Sequence, residues 1–251
     1  MLVHRNQFNV RPDKYDPRDY RFKFAKTELR PVVDLRRYAS PVEDQRHLGS
    51  CTGQATVGAY ELMLNKLYPD KFVDLSRLFV YFNARLLEGF TTEDSGAFIR
   101  DAVKSLFKFG VCTEFTWPYL IEKFATVPNS QSYQEARKRM ISQYYKLNSL
   151  DEILNGLNTE RPVVAGMQVF DSFVELENPG IYTVPAPRET ENILGGHAIT
   201  LVGYDTSKEY IIARNSFGES WGDRGYFYIP FNYAKDYFMD CWMFDINVKN
   251  Y

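Results

Sequence analysis

Pro41-Val42-Glu43-Asp44-Gln45-Arg46-His47-Leu48-Gly49-Ser50-Cys51 runs straight into a stretch of helical period, in which Ala55, Ala59, Leu62 and Met63 recur on one face through Tyr68. Gln45 stands six residues before the cysteine. A nucleophilic thiol needs a donor aimed at the oxygen that becomes negative, and a glutamine amide supplies an N–H close upstream. Cys51 at the first turn of a helix also faces backbone N–H groups and the positive end of the helix dipole. These favour the thiolate, so its pKa is expected to fall from about 8.5 toward about 3.5–7.5.

Outward from this stretch, the first half of the chain reads as helix. Ser76 caps a second helix carrying Leu78, Phe79, Phe82, Leu86 and Leu87, and a third covers about Ala97 to Phe109 with Gly110 as its left-handed stop. A polar helix is expected over Tyr133 to Tyr145, and Ser149-Leu150-Asp151-Glu152 reads as a capping box opening a short helix to about Leu157. The second half changes period. Pro162 to Val169, Gly180 to Val184, His197 to Tyr204, Tyr210 to Asn215, Tyr226 to Ile229 and Trp242 to Val248 are short β-branched or aromatic runs between turn residues, hence strands. Helices followed by antiparallel strands imply an α+β protein of two lobes, with a ligand cleft between them.

Histidine is scarce. His4 lies in a polar leader and His47 in a loop, both expected at the surface, whereas His197 opens an apolar strand after two glycines that admit another backbone. It is the candidate general base and acid for Cys51. Asn215, ending the next strand, would accept from one of its ring nitrogens and fix the tautomer. Cys112 and Cys241 read as small core residues, and with three cysteines no disulfide framework is expected. No Cys-x-x-Cys or His-x-x-x-His spacing occurs, so neither metal nor cofactor is expected.

At 251 residues, 45% hydrophobic and 16% aromatic, the chain has material for a large core, and a net charge of −2 gives no basic field for nucleic acid. No apolar run is long enough to cross a membrane and residues 1–20 lack a signal-peptide core, which suggests a cytoplasmic or otherwise intracellular protein, most simply a monomer.

From about Pro31 onward, the order of motifs resembles the papain-like cysteine peptidases. Pro31-Val32-Val33-Asp34-Leu35-Arg36 is similar to the start of the mature family domain, Gln45 through Cys51 to its oxyanion and nucleophile segment, and Gly195-Gly196-His197-Ala198 to its histidine strand. Arg214-Asn215-Ser216-Phe217-Gly218-Glu219-Ser220-Trp221-Gly222 resembles its asparagine block; Ser95-Gly96, Trp117-Pro118-Tyr119 and Gly180-Ile181-Tyr182 fall in the expected order. The resemblance implies a two-lobed fold over 31–251, with a helical lobe at about 40–150 and a β-barrel-like lobe at about 151–251. It also implies a thiol endopeptidase working through Cys51, His197, Asn215 and Gln45 on peptide or protein substrates.

By the same resemblance, Gly96 should pair with an extended peptide, Gly166 and Gly196 should line a roomy pocket for a bulky apolar side chain, and Trp221 should wall the far side of the cleft. Three positions depart from the pattern. Leu48 replaces the cysteine of a family disulfide, Thr52 replaces an aromatic residue, and Phe217 replaces a tryptophan, keeping the shielding ring without its N–H donor. These departures keep open a peptide-binding pseudo-enzyme; acyl transfer through the same thioester is a further alternative. The family's long inhibitory propeptide has no counterpart in the roughly 30 residues before Pro31. That turn-rich leader, residues 1–30, is expected either to pack as an ordinary extension or to dock near the cleft and restrain activity.

Overall fold

The computed structural model describes residues 7–22 and 27–247. His4 and the end of the last expected strand, Val248, lie outside them. Helix α1 (Cys51–Leu67) is buried along most of its length, including Cys51, Val57, Ala59, Leu62 and Leu64. It is wedged between two partners. Helix α2 (Arg77–Glu88) presses so closely that a Cβ on Gly53 would lie 2.7 Å from the Arg77 carbonyl oxygen. On the other side, the Thr200 hydroxyl donates to Ala55 O at 2.8 Å.

Local chemistry sets the helix ends. Ser76 accepts the Phe79 N–H at 3.1 Å at the start of α2, and Gly89, in the left-handed region at φ 84°, ends it. Helix α3 (Ile99–Lys108) turns Ala102, Val103 and Leu106 inward. Ser149 Oγ accepts from Glu152 N at 3.2 Å at the start of α5 (Leu150–Asn158), while the Glu152 carboxylate reaches Asn148 N rather than Ser149 N, a capping box displaced by one residue.

The antiparallel sheet contains β1 (Val32–Asp34), β2 (Ile141–Leu147), β3 (Val163–Phe170), β4 (Ile193–Asp205), β5 (Tyr210–Arg214), β6 (Tyr226–Pro230) and β7 (Phe238–Ile246). Strand order is β2-β7-β3-β4-β5-β6, with β1 also on β4. The fold is α+β as expected, but the sheet stays open rather than closing into a barrel. Its two ends are covered separately: Lys146 N donates to Tyr20 O at β2, and Tyr228 N donates to Tyr182 O at β6.

Two sequence expectations change. The polar helix over 133–145 is a short helix α4 (Ser130–Ala136) followed by strand β2, because Tyr144, Tyr145 and Leu147 pair with Phe244, Met243 and Cys241 of β7. A strand therefore occupies part of the span assigned to the helical lobe. The run 180–184 forms only a single bridge, Thr183 to Tyr228.

Apolar side chains gather into two cores. One joins α1, α2 and α3 with Val164, Ala198, Trp242 and Phe244, and the other joins the sheet with α5. Between them lies an ionic cluster in which buried Glu61 accepts from Ser40 Oγ at 2.5 Å, Leu75 N at 2.8 Å and Arg77 Nη2 at 3.0 Å. Cys112 and Cys241 are buried with free thiols, as is Cys51.

Candidate active site

Cys51 is the first residue of α1, and His197 comes from β4, where it sits opposite Met167 of β3. Asn215 follows the last residue of β5, Arg214, which pairs with Thr200 of β4. This register brings Asn215 beside His197: imidazole Nε2 lies 2.8 Å from Asn215 Oδ1. The same Oδ1 accepts the Ser216 N–H at 2.8 Å, which identifies it as the amide oxygen. An oxygen can only accept, so Nε2 carries the ring proton and Nδ1 is left with its lone pair. Nδ1 is buried with no side-chain partner while the Gln7 main chain lies against the ring, and the backbone of the next residue, Ala198, donates to the Cys51 sulfur.

Gln45 is stitched between the nucleophile loop and the asparagine block. Its Nε2 donates to Leu48 O at 2.9 Å, its Oε1 accepts from Ser216 Oγ at 2.6 Å, and its backbone N donates to Ser216 O at 2.8 Å. One Nε2–H remains uncommitted. Tyr119, from the Trp117-Pro118-Tyr119 segment, donates its hydroxyl to Gln45 O at 2.9 Å and lies 2.6 Å from Ser50 Oγ.

Where a family disulfide would be anchored at position 48, Leu48 is a buried apolar residue and the neighbouring Gly49 N–H goes to Asp94, at 2.9 and 3.1 Å from its two carboxylate oxygens. Asp94 also accepts from Tyr81 Oη at 2.5 Å. The loop is thus tethered by charge-assisted hydrogen bonds rather than a covalent bridge.

The imidazole is enclosed by aromatic rings. Phe217 stacks on it at 5.1 Å between centroids, so the residue that replaces tryptophan keeps the shielding role. Trp221 is buried and stacked on Phe173 at 5.7 Å, with its edge to Phe217 at 5.6 Å. It joins the ring cluster of Phe173, Phe217 and Phe227 around the histidine. His47 is exposed, as expected of a surface histidine. Among the described residues no group of His, Cys, Asp and Glu could hold a metal ion, and no helix is long and apolar enough to cross a membrane.

Leader residues fill the cleft. Phe8 sets its ring edge on His197 at 5.4 Å and on Phe173 at 6.1 Å. Val10 N donates to Gly196 O at 3.0 Å, Asn9 Nδ2 donates to Asp94 O at 3.3 Å, and the Gln7 side-chain amide donates to Arg46 O. The wall glycines make room for this chain. A Cβ on Gly96 would lie 2.5 Å from Asn9 O, and one on Gly196 would lie 2.1 Å from Val10 O. Gly166 opens the floor under Val10 Cγ1 between Ile99 and Met239.

Further along, Asp13 N donates to Asp240 Oδ2 at 2.6 Å, while Asp13 Oδ2 accepts from Trp242 Nε1 at 2.7 Å. Phe8 and Val10 were the missed residues. Their signal was an apolar-polar-apolar alternation, Phe8-Asn9-Val10, in an otherwise polar leader; Asp94 carried no such signal.

Burial changes the electrostatics expected of the thiol. With Cys51 and His197 both fully buried, desolvation pushes the thiol up to about 12, against backbone hydrogen bonds from Ala198 and Thr52, with Asp94 adding to the rise. Desolvation likewise pulls the imidazole down to about 4 despite the Asn215 bond. In this arrangement burial opposes the thiolate expected at the helix start, because water, which would stabilise both ions, is excluded.

The sequence profile described as Papain family cysteine protease matches residues 29–242. An uncharacterised peptidase C1-like protein of Acanthamoeba polyphaga mimivirus is 35% identical over 83% of this chain and 70% of its own length. The gamma chain of oryzain from rice is 30% identical over 75% of this chain but only 51% of its own, and the chain spans 58% of a cathepsin L-like proteinase of Fasciola hepatica. Among solved structures, xylellain, a cysteine protease from Xylella fastidiosa, superposes with a TM-score of 0.89 at 32% identity over 98% of both chains. Procathepsin L 3 of Tenebrio molitor, at 20% identity and a TM-score of 0.72, shares the fold. Profile, relatives and superposition agree with the motif order that begins at Gln45 and Cys51: the chain belongs to the papain family of cysteine proteases.

Proposed function

We propose that this protein hydrolyses peptide bonds with Cys51 as nucleophile, and that residues 7–22 hold it latent by covering the cleft. The observation that carries the reading is the locked imidazole. Asn215 holds Nε2, which leaves Nδ1 as the ring nitrogen for the thiol next to Ala198 once the Gln7 main chain is displaced.

Once the leader lifts away, water and a peptide replace Phe8 and the desolvation that suppresses both ions is relieved. Nδ1 takes the thiol proton and the sulfur attacks the carbonyl carbon. The developing oxyanion is met by the Cys51 N–H and by the free Nε2–H of Gln45. His197 passes its proton to the leaving amine, leaving a thioester. Water then attacks the thioester, giving a proton to Nδ1, and collapse returns the thiol and an acid.

Val10 marks the pocket for an apolar substrate side chain. Its floor at Gly166 is flanked by the apolar ends of Ile99 and Met239, which supports a preference for a bulky apolar residue just before the residue that supplies the scissile carbonyl.

The test is turnover of a fluorogenic peptide with such an apolar residue by the full chain, by Phe8→Ala and by Cys51→Ala. Hydrolysis should be slow in the parent, faster in Phe8→Ala and absent in Cys51→Ala. No hydrolysis by Phe8→Ala would favour a peptide-binding pseudo-enzyme instead.

A further inference from the structure

Immediately beyond Val10 the leader sets Arg11 against the wall. Arg11 Nη2 donates to Glu88 Oε2 at 2.6 Å, and its guanidinium carbon sits 4.5 Å above the centre of the Phe98 ring. Glu88 is the last residue of α2, and its other carboxylate oxygen accepts the Phe98 N–H, at 2.7 Å, just where α3 begins. The carboxylate is held in place by the main chain, and its side chain is only 3% exposed with Arg11 seated. Phe98 lies two residues after Gly96, the wall glycine that faces Asn9. Counted away from His197, the cleft therefore offers an aromatic site taken by Phe8, an apolar pocket taken by Val10, and then a carboxylate under an aromatic face taken by Arg11.

An arginine–glutamate pair with the arginine 45% exposed contributes little as a clasp. It has a different consequence when a substrate displaces the leader. Arg11 leaves with the leader, and the carboxylate remains beside the Phe98 ring with one backbone N–H as partner and Asp101 adding to its unfavourable field. A nearly buried carboxylate without a counter-charge is costly, and an aromatic face beside it attracts a cation further.

We propose that Glu88 and Phe98 form a substrate subsite that selects an arginine or lysine side chain next to the apolar anchor, on the side away from the scissile bond, and that Arg11 occupies this subsite in the covered state. The proposal rests on the peptidase reading above.

The experiment uses the full chain and matched fluorogenic peptides with valine as anchor and Arg, Gln or Glu at the adjoining position. The Arg peptide should exceed the Gln peptide in kcat/KM by about tenfold, almost entirely through KM, and the Glu peptide should be the poorest. Glu88→Gln keeps the acceptor for Phe98 N–H and should bring the Arg-to-Gln ratio to within about twofold; Phe98→Leu should lower it partway. Arg11→Ala should leave the Arg-to-Gln ratio in place.

Calorimetry with Cys51→Ala separates binding from chemistry. If that protein binds the Arg peptide about tenfold more tightly than the Gln peptide, the subsite stands even where turnover fails and the peptidase reading falls. Equal affinities, or a ratio that survives Glu88→Gln, would overturn the subsite.

Discussion

Acid should tighten the leader on the cleft and neutral pH should loosen it, and Asp13 is the reason. Its carboxyl is pushed up to about 7 from the usual 3.8, first by burial and then by the neighbouring Asp240 carboxylate, against the Trp242 and Arg100 hydrogen bonds. The charged groups around it come from three elements: Arg100 on α3, which is paired with Asp19; Lys146 on β2, which is paired with Asp240; and Asp240 itself on β7. Asp19 and Glu88 are displaced upward as well, both chiefly by burial.

A group whose pKa is raised in the docked state stabilises docking fully below its free value, and that stabilisation is lost as pH rises through the docked value. For Asp13 the window runs from about 3.8 to about 7. At about 1.4 kcal/mol per pH unit the full loss is roughly 4.5 kcal/mol, and between pH 5 and 7.5 docking should weaken on the order of 10²-fold. Asp13→Asn keeps an acceptor for Trp242 Nε1 and removes the charge. The assay is the rate at which iodoacetamide alkylates Cys51 from pH 4 to 8, taken as the ratio of parent to Asp13→Asn so that the titration of Cys51 and His197 cancels. The ratio should climb across this window and level off above about pH 7. Parallel profiles for the two proteins would refute the role of Asp13.

Gln45→Ala removes the side-chain donor offered to the oxyanion and should lower kcat by roughly 10²–10³-fold in a Phe8→Ala background, read by initial rates. Asp94→Asn should slow turnover by loosening Gly49. Because the Asp94 charge raises the Cys51 thiol, the same variant should also move the alkylation pH profile toward acid, which a purely structural tether would not do. Glu61→Ala removes the buried acceptor shared by Ser40, Leu75 N and Arg77, which keeps Asp74 and Glu43, and should cost about 1–3 kcal/mol in urea unfolding.

The sequence showed most of the site because its chemistry is local. Gln45 and Cys51 sit on one short loop running into α1, and His197 lies on β4 while Asn215 follows the end of its partner β5, so motif spacing predicts their meeting. Strand β2 was hidden because Ile141 to Leu147 is polar on its exposed positions and gains its strand character from pairing with β7, a contact nearly a hundred residues away in the chain. The open sheet was hidden for a similar reason, since its edges are covered by Tyr20, in a leader without a strand pattern, and by Tyr182, whose short run forms only a single bridge.

The helix start and imidazole that favour a thiolate are visible in sequence, while the burial that opposes it depends on how the chain packs around Cys51. The tether at Asp94 escaped notice because one aspartate before Ser95-Gly96 looks like any loop residue until its carboxylate is seen on Gly49 N.

The most direct test of a latent thiol site is covalent labelling by a peptidyl epoxide at neutral pH, followed by intact mass and by mapping the modified residue. The account predicts slow, single-site labelling of Cys51 in the parent and labelling faster by at least about tenfold in Phe8→Ala, since a buried phenylalanine contributes about 3–5 kcal/mol to its contacts. It also predicts loss of labelling when His197→Ala is added. Labelling of Cys112 or Cys241 instead, or equal rates with and without Phe8, would contradict it.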